Sequence, residues 1–387
     1  MRLDKSQISG TRFMFTITFF LQSSALLTAF LSSVAQQDSW IPVVLSTISC
    51  MPLVYLFRTL MVMFPEKTLL EMMDEVFGPV IGKIFGVWYL WFFLTLAALN
   101  LKDLGDFAKA TVMTETPHVV LVLLCALVVV WAVRHGLKVV TRYSALFTFI
   151  EFGIVAVTFV LVAHQMDFNN LLPAFQLPPI KYLQGTHLMT MIPVGELVVM
   201  LMLTPCVKLS RTAATKYWFI GVTMGMLTLF AILVRDIMIL GNTLPMFTLP
   251  GLVTMRLVNL GEALSRIEIL FAVGLTMLLF FKVAVLCYAS TIALAQLFKT
   301  KSYKNFALII GVLVVVYGPI IYSSTVEQST SARDVIPFFW GVFEVWIPLL
   351  MFIIAKIRKL PKKTAENPRE QEPQPPPRRR VKEEHMK

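Results

Sequence analysis

The chain has 387 residues, 57% of them hydrophobic and only 15% charged, with a mean hydropathy of +0.74. A soluble domain carries about 25% charged residues, so this composition excludes a soluble globular fold. The net charge is +11, but Lys356 to Lys387 alone holds eleven Lys/Arg against five Asp/Glu and supplies +6. Most other basic residues sit in short loops, which argues for a topology signal and against a nucleic-acid surface.

Apolar residues fall in blocks long enough to cross hydrocarbon. Ten blocks predict ten transmembrane helices: 12–35, 40–63, 80–113, 118–134, 141–164, 186–206, 215–240, 264–298, 305–322 and 335–356. The first block carries Gln22-Ser23-Ser24 at its middle. Its end, Ser33-Val34-Ala35, resembles a signal-peptide cleavage site, but the block exceeds an h-region of about 7–15 residues and reads as a span. The third and eighth blocks are unusually long and must tilt. The sixth is interrupted by Pro193-Val194-Gly195-Glu196. Residues 358–387, with Pro375-Pro376-Pro377 before Arg378-Arg379-Arg380, cannot bury a core and predict a disordered, basic cytoplasmic tail.

Loop charge sets the orientation. Arg12, Arg58, Lys67, Arg134, Lys208, Lys304 and the tail fall on one side. The other side has Gln36-Gln37-Asp38-Ser39 and loops with only Lys181, Arg256 and Arg333. The first side is therefore expected to be cytoplasmic, with both termini in it.

Blocks 1 and 6 lie five apart and are both interrupted near mid-membrane; the two longest blocks, 3 and 8, are also five apart. Five is odd, so the halves would have opposite orientations. This predicts an all-α membrane protein with a 5+5 inverted repeat, about 8–164 and 186–357, and broken helices 1 and 6 at a solute site. An unwound helix frees backbone polar groups, tolerated only where they line a cavity or bind something. Half-helix N-termini suit a carboxylate, so a small zwitterion fits such a site.

Several segments carry a family likeness. They are Ile8-Ser9, Asp38-Ser39-Trp40-Ile41, Phe64-Pro65-Glu66-Lys67-Thr68-Leu69, Gly78 through Gly86, Arg134-His135-Gly136, Thr141-Arg142-Tyr143, Asn170-Leu171-Leu172-Pro173 and Gly195-Glu196. In that order the chain resembles the B-type permease subunits of bacterial spore germinant receptors, from about Lys5 to Lys356. That family lies within the amino acid/polyamine/organocation transporter superfamily. The resemblance implies a LeuT-like fold and a nutrient sensor, for an amino acid, in the spore inner membrane. It also implies an A-type membrane subunit and a C-type lipoprotein as partners. The alternative is a proton-coupled amino acid transporter of the same superfamily. The long tail departs from the short one expected of the family.

Charges at membrane depth are functional candidates. The ligand-site candidates are Gln22, Ser23 and Ser24 in the first interruption, Pro193, Gly195 and Glu196 in the second, Asn100 in block 3 and Thr276 in block 8. Thr276 has a back-bond to its own helix as the competing role. Glu196 is expected to hold a ligand ammonium or a proton. The superfamily fold sets spans 5 and 8 beside the inner half of span 1, which implies a Glu151–Lys282 pair beneath the site. Glu344 is a second possible partner for Lys282. Lys102–Asp106 and Asp106–Lys109 have helical pairing distance and, with Asn100 and Asp103, would line an outer vestibule. The glycines at 78, 82 and 86, and at 221 and 225, predict close helix packing. Cys50, Cys125, Cys206 and Cys287 lie singly, and the histidines sit at span ends. No metal site, cofactor or catalytic motif is expected.

Overall fold

The structure is a computed structural model describing residues 7–111, 113–257 and 268–361. The expected tail from residue 362, the basic Arg2 and Lys5, and the first residues of the eighth block lie outside the described residues. Among the described residues the regular elements are helices, apart from one isolated bridge that joins Ile8 to Val207.

The first half comprises α1 (Gly10–Gln22), α2 (Leu27–Ala35), α3 (Trp40–Ser49), α4 (Met51–Met63), α5 (Leu69–Phe77), α6 (Pro79–Thr111), α7 (His118–His135), α8 (Leu137–Val140) and α9 (Ser144–Val162). The second begins with α10 (Pro179–Met189), a π-helical turn at Thr190–Gly195 and a 3-10 helix at Glu196–Cys206. It continues with α11 (Arg211–Leu240), α12 (Pro250–Arg256), α13 (Glu268–Leu297), α14 (Phe306–Ile321), α15 (Thr325–Asp334), α16 (Ile336–Gly341), a π turn at Val342–Trp346 and α17 (Ile347–Ile357).

Eight helical stretches are long and apolar enough to cross a bilayer, or nine if α14 and the helix after it, bent by 90°, count as one. The protein is thus a multi-pass membrane protein. The shortfall from ten has a local cause. α1 has only 13 residues before the chain breaks, and α2 runs on through α4 as one 37-residue helical stretch. The outer surface is apolar where lipid would lie: Leu124, Leu127, Val128 and Trp131 of α7 are all more than half exposed.

Local chemistry explains the interruptions. At Ser23–Leu26 the ladder tightens, with Ser24 N–H donating to Leu21 O at 2.9 Å and Ala25 N–H to Gln22 O at 3.1 Å. The Ser23 hydroxyl, 2.7 Å from Phe19 O, competes for the helix carbonyl. In the sixth block the helix starts at Pro179, earlier than expected, because proline is pre-organised for a first turn. Pro193 then has no N–H to donate, and the ladder widens into the π turn before tightening to 3-10. The second interruption is therefore a change of helical pitch, not the unwound break expected. The quoted Thr68 opens α5 with a capping box to Glu71, and Lys67 pairs with Glu75.

Long α6 and α13 pack against each other at the centre, and α1 packs along α11. The second contact needs Gly221 and Gly225: a Cβ at Gly225 would lie 2.6 Å from Leu21 Cβ. Gly225→Val should therefore cost about 1–3 kcal/mol through overpacking, read as a lower melting temperature in detergent. Gly153→Ala, where a Cβ meets nothing within 4 Å, should melt no lower than the parent. Equal melting of both variants would remove the close approach as a stability determinant.

Candidate functional site

The break after α1 is where polar side chains converge. Between it and α6, α13, α15 and α16 lies about 550 Å³ of empty space, counting the part that opens to solvent. Ser23, Ser24, Asn100, Asp103, Glu196 and Lys282 supply its polar walls, and residues such as Phe30, Leu279 and Trp340 its apolar ones.

An ion pair spans the wall. Lys282 Nζ lies 2.6 Å from Glu196 Oε2 and donates to Ser24 Oγ at 2.9 Å, with Phe20's ring centroid 5.2 Å away. Lys282 and Glu196 are only 2% and 1% exposed. A buried pair of this kind stands only with good geometry, because both charges have lost water. It ties the two interrupted spans to α13.

This corrects the expected Glu151–Lys282 pair. Glu151 lies against Gly274, where a Cβ would stand 3.0 Å from Oε2. That is eight residues from Lys282 on the same helix, roughly 12 Å along it. The π turn brings Glu196, not Glu151, to the lysine, since the extra residue per turn re-aims the face that follows. Glu344, the other expected partner, makes no ion pair with Lys282. Its carboxylate sits fully buried against Gly195, neither oxygen hydrogen-bonded. A Cβ at Gly195 would fall well inside 3.0 Å of that carboxylate, so a larger residue there would displace the Glu344 side chain. Both segments are π turns, packed on each other.

Other expected residues divide. Ser23 lines the cavity and its hydroxyl also lies 2.8 Å from Leu278 O on α13. Asn100 lines it too, donating to Leu96 O at 2.8 Å. Gln22 does not: its amide donates to Thr228 on α11 at 3.0 Å. Pro193 and Gly195 shape the turn, while Ile192 and Glu196 reach the cavity. Thr276 back-bonds to Ala272 O at 2.7 Å and is not among the lining residues, so it leaves the site. Lys102 does approach Asp106, at 3.7 Å, but His118 rather than Lys109 is the other partner, at 3.1 Å.

Two groups escaped sequence reading. Gln328 of α15 accepts from Lys102 at 2.8 Å and donates to Asp103 at 2.7 Å, clamping α15 to α6 beside the cavity. It lies between apolar blocks, where no span signal draws attention. Within the seventh block, Arg235 donates to Asp236 Oδ1 through Nε and Nη2, at 3.0 and 2.8 Å, and to Thr158 at 2.7 Å. Both charges are 1% exposed. The rule for charges at membrane depth would have found them. Among the described residues, no three His, Cys, Asp or Glu side chains are grouped to hold a metal.

Comparisons with known proteins bear on the family and the fold. The family model described as "Spore germination protein", a spore permease family, matches residues 7–329. Spore germination protein KB of Bacillus subtilis (strain 168) is 27% identical over 363 residues, covering 92% of this chain and 96% of that protein. Putative spore germination protein YfkT of the same organism is 24% identical, covering 84% and 89%. Among solved structures, MhsT in complex with L-phenylalanine has a TM-score of 0.63 at 13% identity, covering 90% of this chain and 89% of that one. The nucleobase-cation-symport-1 family transporter MHP1, closed with bromovinylhydantoin bound, has a TM-score of 0.60 at 11% identity, covering 88% and 78%. At such identities the structures share the fold alone, a LeuT-like transporter fold. A transporter-like helical frame, a polar cavity at the helix interruptions and the family match over most of the length lead to one conclusion: this chain belongs to the spore germination permease family, whose B-type germinant-receptor members it resembles.

Proposed function

We infer that the chain is the nutrient-sensing subunit of a spore germinant receptor, binding an amino acid in the cavity between its two interrupted spans. The cavity with both signs of charge in its wall carries this reading. The start of α2, at Leu26 and Leu27, lines the cavity and puts the positive end of the helix dipole beside a ligand carboxylate. Asp103 offers a partner for the ammonium. The apolar lining takes the side chain. Binding would shift the population of helix arrangements and pass the change to an A-type membrane subunit and a C-type lipoprotein.

The finer architecture belongs to the same reading. Ten spans in two inverted repeats of five are supported by reciprocal packing: α6 with α7 and α13 with α14, α6 with α14 and α13 with α7, α1 with α11 and α10 with α3. Each pair maps on its partner by a shift of five spans. The basic loops favour cytoplasmic termini, and the family favours the spore inner membrane.

A second reading is a proton-coupled amino acid transporter. Glu344 favours it, because a fully buried carboxyl with no hydrogen bond is a suitable proton carrier. Melting curves of purified protein against amino acids, sugars and nucleosides test the first reading. An amino acid should raise the melting temperature, and Asn100→Leu should weaken its binding about tenfold while leaving the ligand-free melting temperature unchanged. A panel in which only sugars or nucleosides stabilise, or an Asn100→Leu variant that binds like the parent, would sink it. Concentrative uptake into proteoliposomes would select the transporter.

A further inference from the structure

A second large recess lies away from the central cavity. It holds about 690 Å³, again counting space open to solvent, between the C-terminal end of α4, the start of α11 and the C-terminal end of α17. Gly10, which opens α1, stands against Leu209 and Tyr217 beside the start of α11. The recess therefore lies at the end of the bundle where the first span begins.

Among the described residues its walls carry four cations, Arg58, Arg211, Lys356 and Lys359, and no acidic residue. Arg58 is the unusual member. It is only 5% exposed; its Nη2 donates to Arg211 O at 2.9 Å, and its Nε has no partner. A buried guanidinium with a spare donor, and no carboxylate paired with it among the described residues, is costly unless an anion completes it. Of the remaining walls, Val62, Met63, Ala355 and Leu360 are apolar and Thr59 adds a hydroxyl-bearing side chain. Cations set beside apolar side chains, at a span end, match a phosphate with acyl chains attached. Arginine suits phosphate because its fork of N–H donors meets two oxygens at once.

We propose that this recess binds a phosphate-bearing anion, supplied by the headgroup of an anionic lipid, with Arg58 as the buried anchor and Lys356 and Lys359 as the outer cations. The bound lipid ties α4, α11 and α17 together at the membrane surface. Its place is separate from the cavity of the proposed solute, so it stands whatever that solute is.

The test uses the full chain in neutral detergent. Native mass spectrometry and melting curves are recorded after adding phosphatidylglycerol, phosphatidylcholine, or inorganic phosphate alone. Phosphatidylglycerol should be retained and should raise the melting temperature; phosphatidylcholine should do neither. Lys356→Gln/Lys359→Gln should weaken retention on the order of 30-fold, from the known attraction of each surface lysine to anionic lipid. Lys301→Gln/Lys304→Gln removes the same charge from exposed lysines elsewhere and should leave retention as in the parent. Arg58→Lys keeps the charge but loses the fork, and should bind more weakly than the parent while melting alike in phosphatidylcholine. Inorganic phosphate that displaces the lipid would support the same anion chemistry and name a free anion as its source. Equal retention of both lipids, or equal losses in the two lysine double variants, would overturn the proposal.

Discussion

Lys282→Met is expected to destabilise the folded protein by about 3–5 kcal/mol, the usual cost of stranding one half of a buried ion pair. Lys282 Nζ holds both Glu196, at 2.6 Å, and Ser24, at 2.9 Å. Its loss leaves Glu196 without its counter-charge, and Glu344 is already unpartnered nearby against Gly195. The variant should unfold at markedly lower denaturant in mixed micelles. Adding Glu196→Gln removes the stranded charge and should recover most of the loss. Adding Glu151→Gln instead should recover none, since Glu151 lies two turns away. Rescue by the Glu151 change and not by the Glu196 change would restore the pairing that sequence reasoning favours.

The second large effect is expected at Arg235→Met. Arg235 spends three N–H groups, two on Asp236 and one on Thr158, in a setting where both charged residues are 1% exposed. Removing it should cost a similar 3–5 kcal/mol. Thr158→Val removes only one hydrogen-bond partner and should cost about 1–3 kcal/mol. Arg235→Met/Asp236→Asn, which removes both charges, should be more stable than Arg235→Met alone. Denaturation of the four proteins side by side checks the order; a double variant no more stable than Arg235→Met would show that the pair is not what holds this region.

Much of the frame was legible in one dimension. Among the described residues each apolar block is mainly helix, because the width of hydrocarbon dictates how many apolar residues a span needs. Both interruptions were legible too, from Gln22-Ser23-Ser24 and from Pro193 to Glu196, because hydroxyls and proline disturb the backbone ladder wherever they stand. What these residues do after the disturbance was not. Gln22 turns to Thr228 on α11, Ser23 and Ser24 turn to α13, and the sixth span stays helical by changing pitch.

The choice of partner among buried charges shows where the reading stops. Sequence gives each charged residue a depth in the membrane, and Glu151, Glu196, Glu344 and Lys282 are all deep. It does not give the rotation of each helix about its axis. Two π turns, at Thr190–Gly195 and Val342–Trp346, alter that rotation, and so Glu196 rather than Glu151 meets the lysine. Gln328 was invisible for a related reason: a polar helix between spans acquires a role only when it folds back on α6.

The amino-acid sequence by itself determined that this protein lives in a bilayer, where its spans run and where they are interrupted. Those properties depend on the composition of contiguous residues and on the length needed to cross hydrocarbon. The tertiary structure alone decided which polar groups share a cavity, which carboxylate neutralises Lys282 and where a recess of four cations forms, because these depend on how helices distant in the chain are turned toward one another.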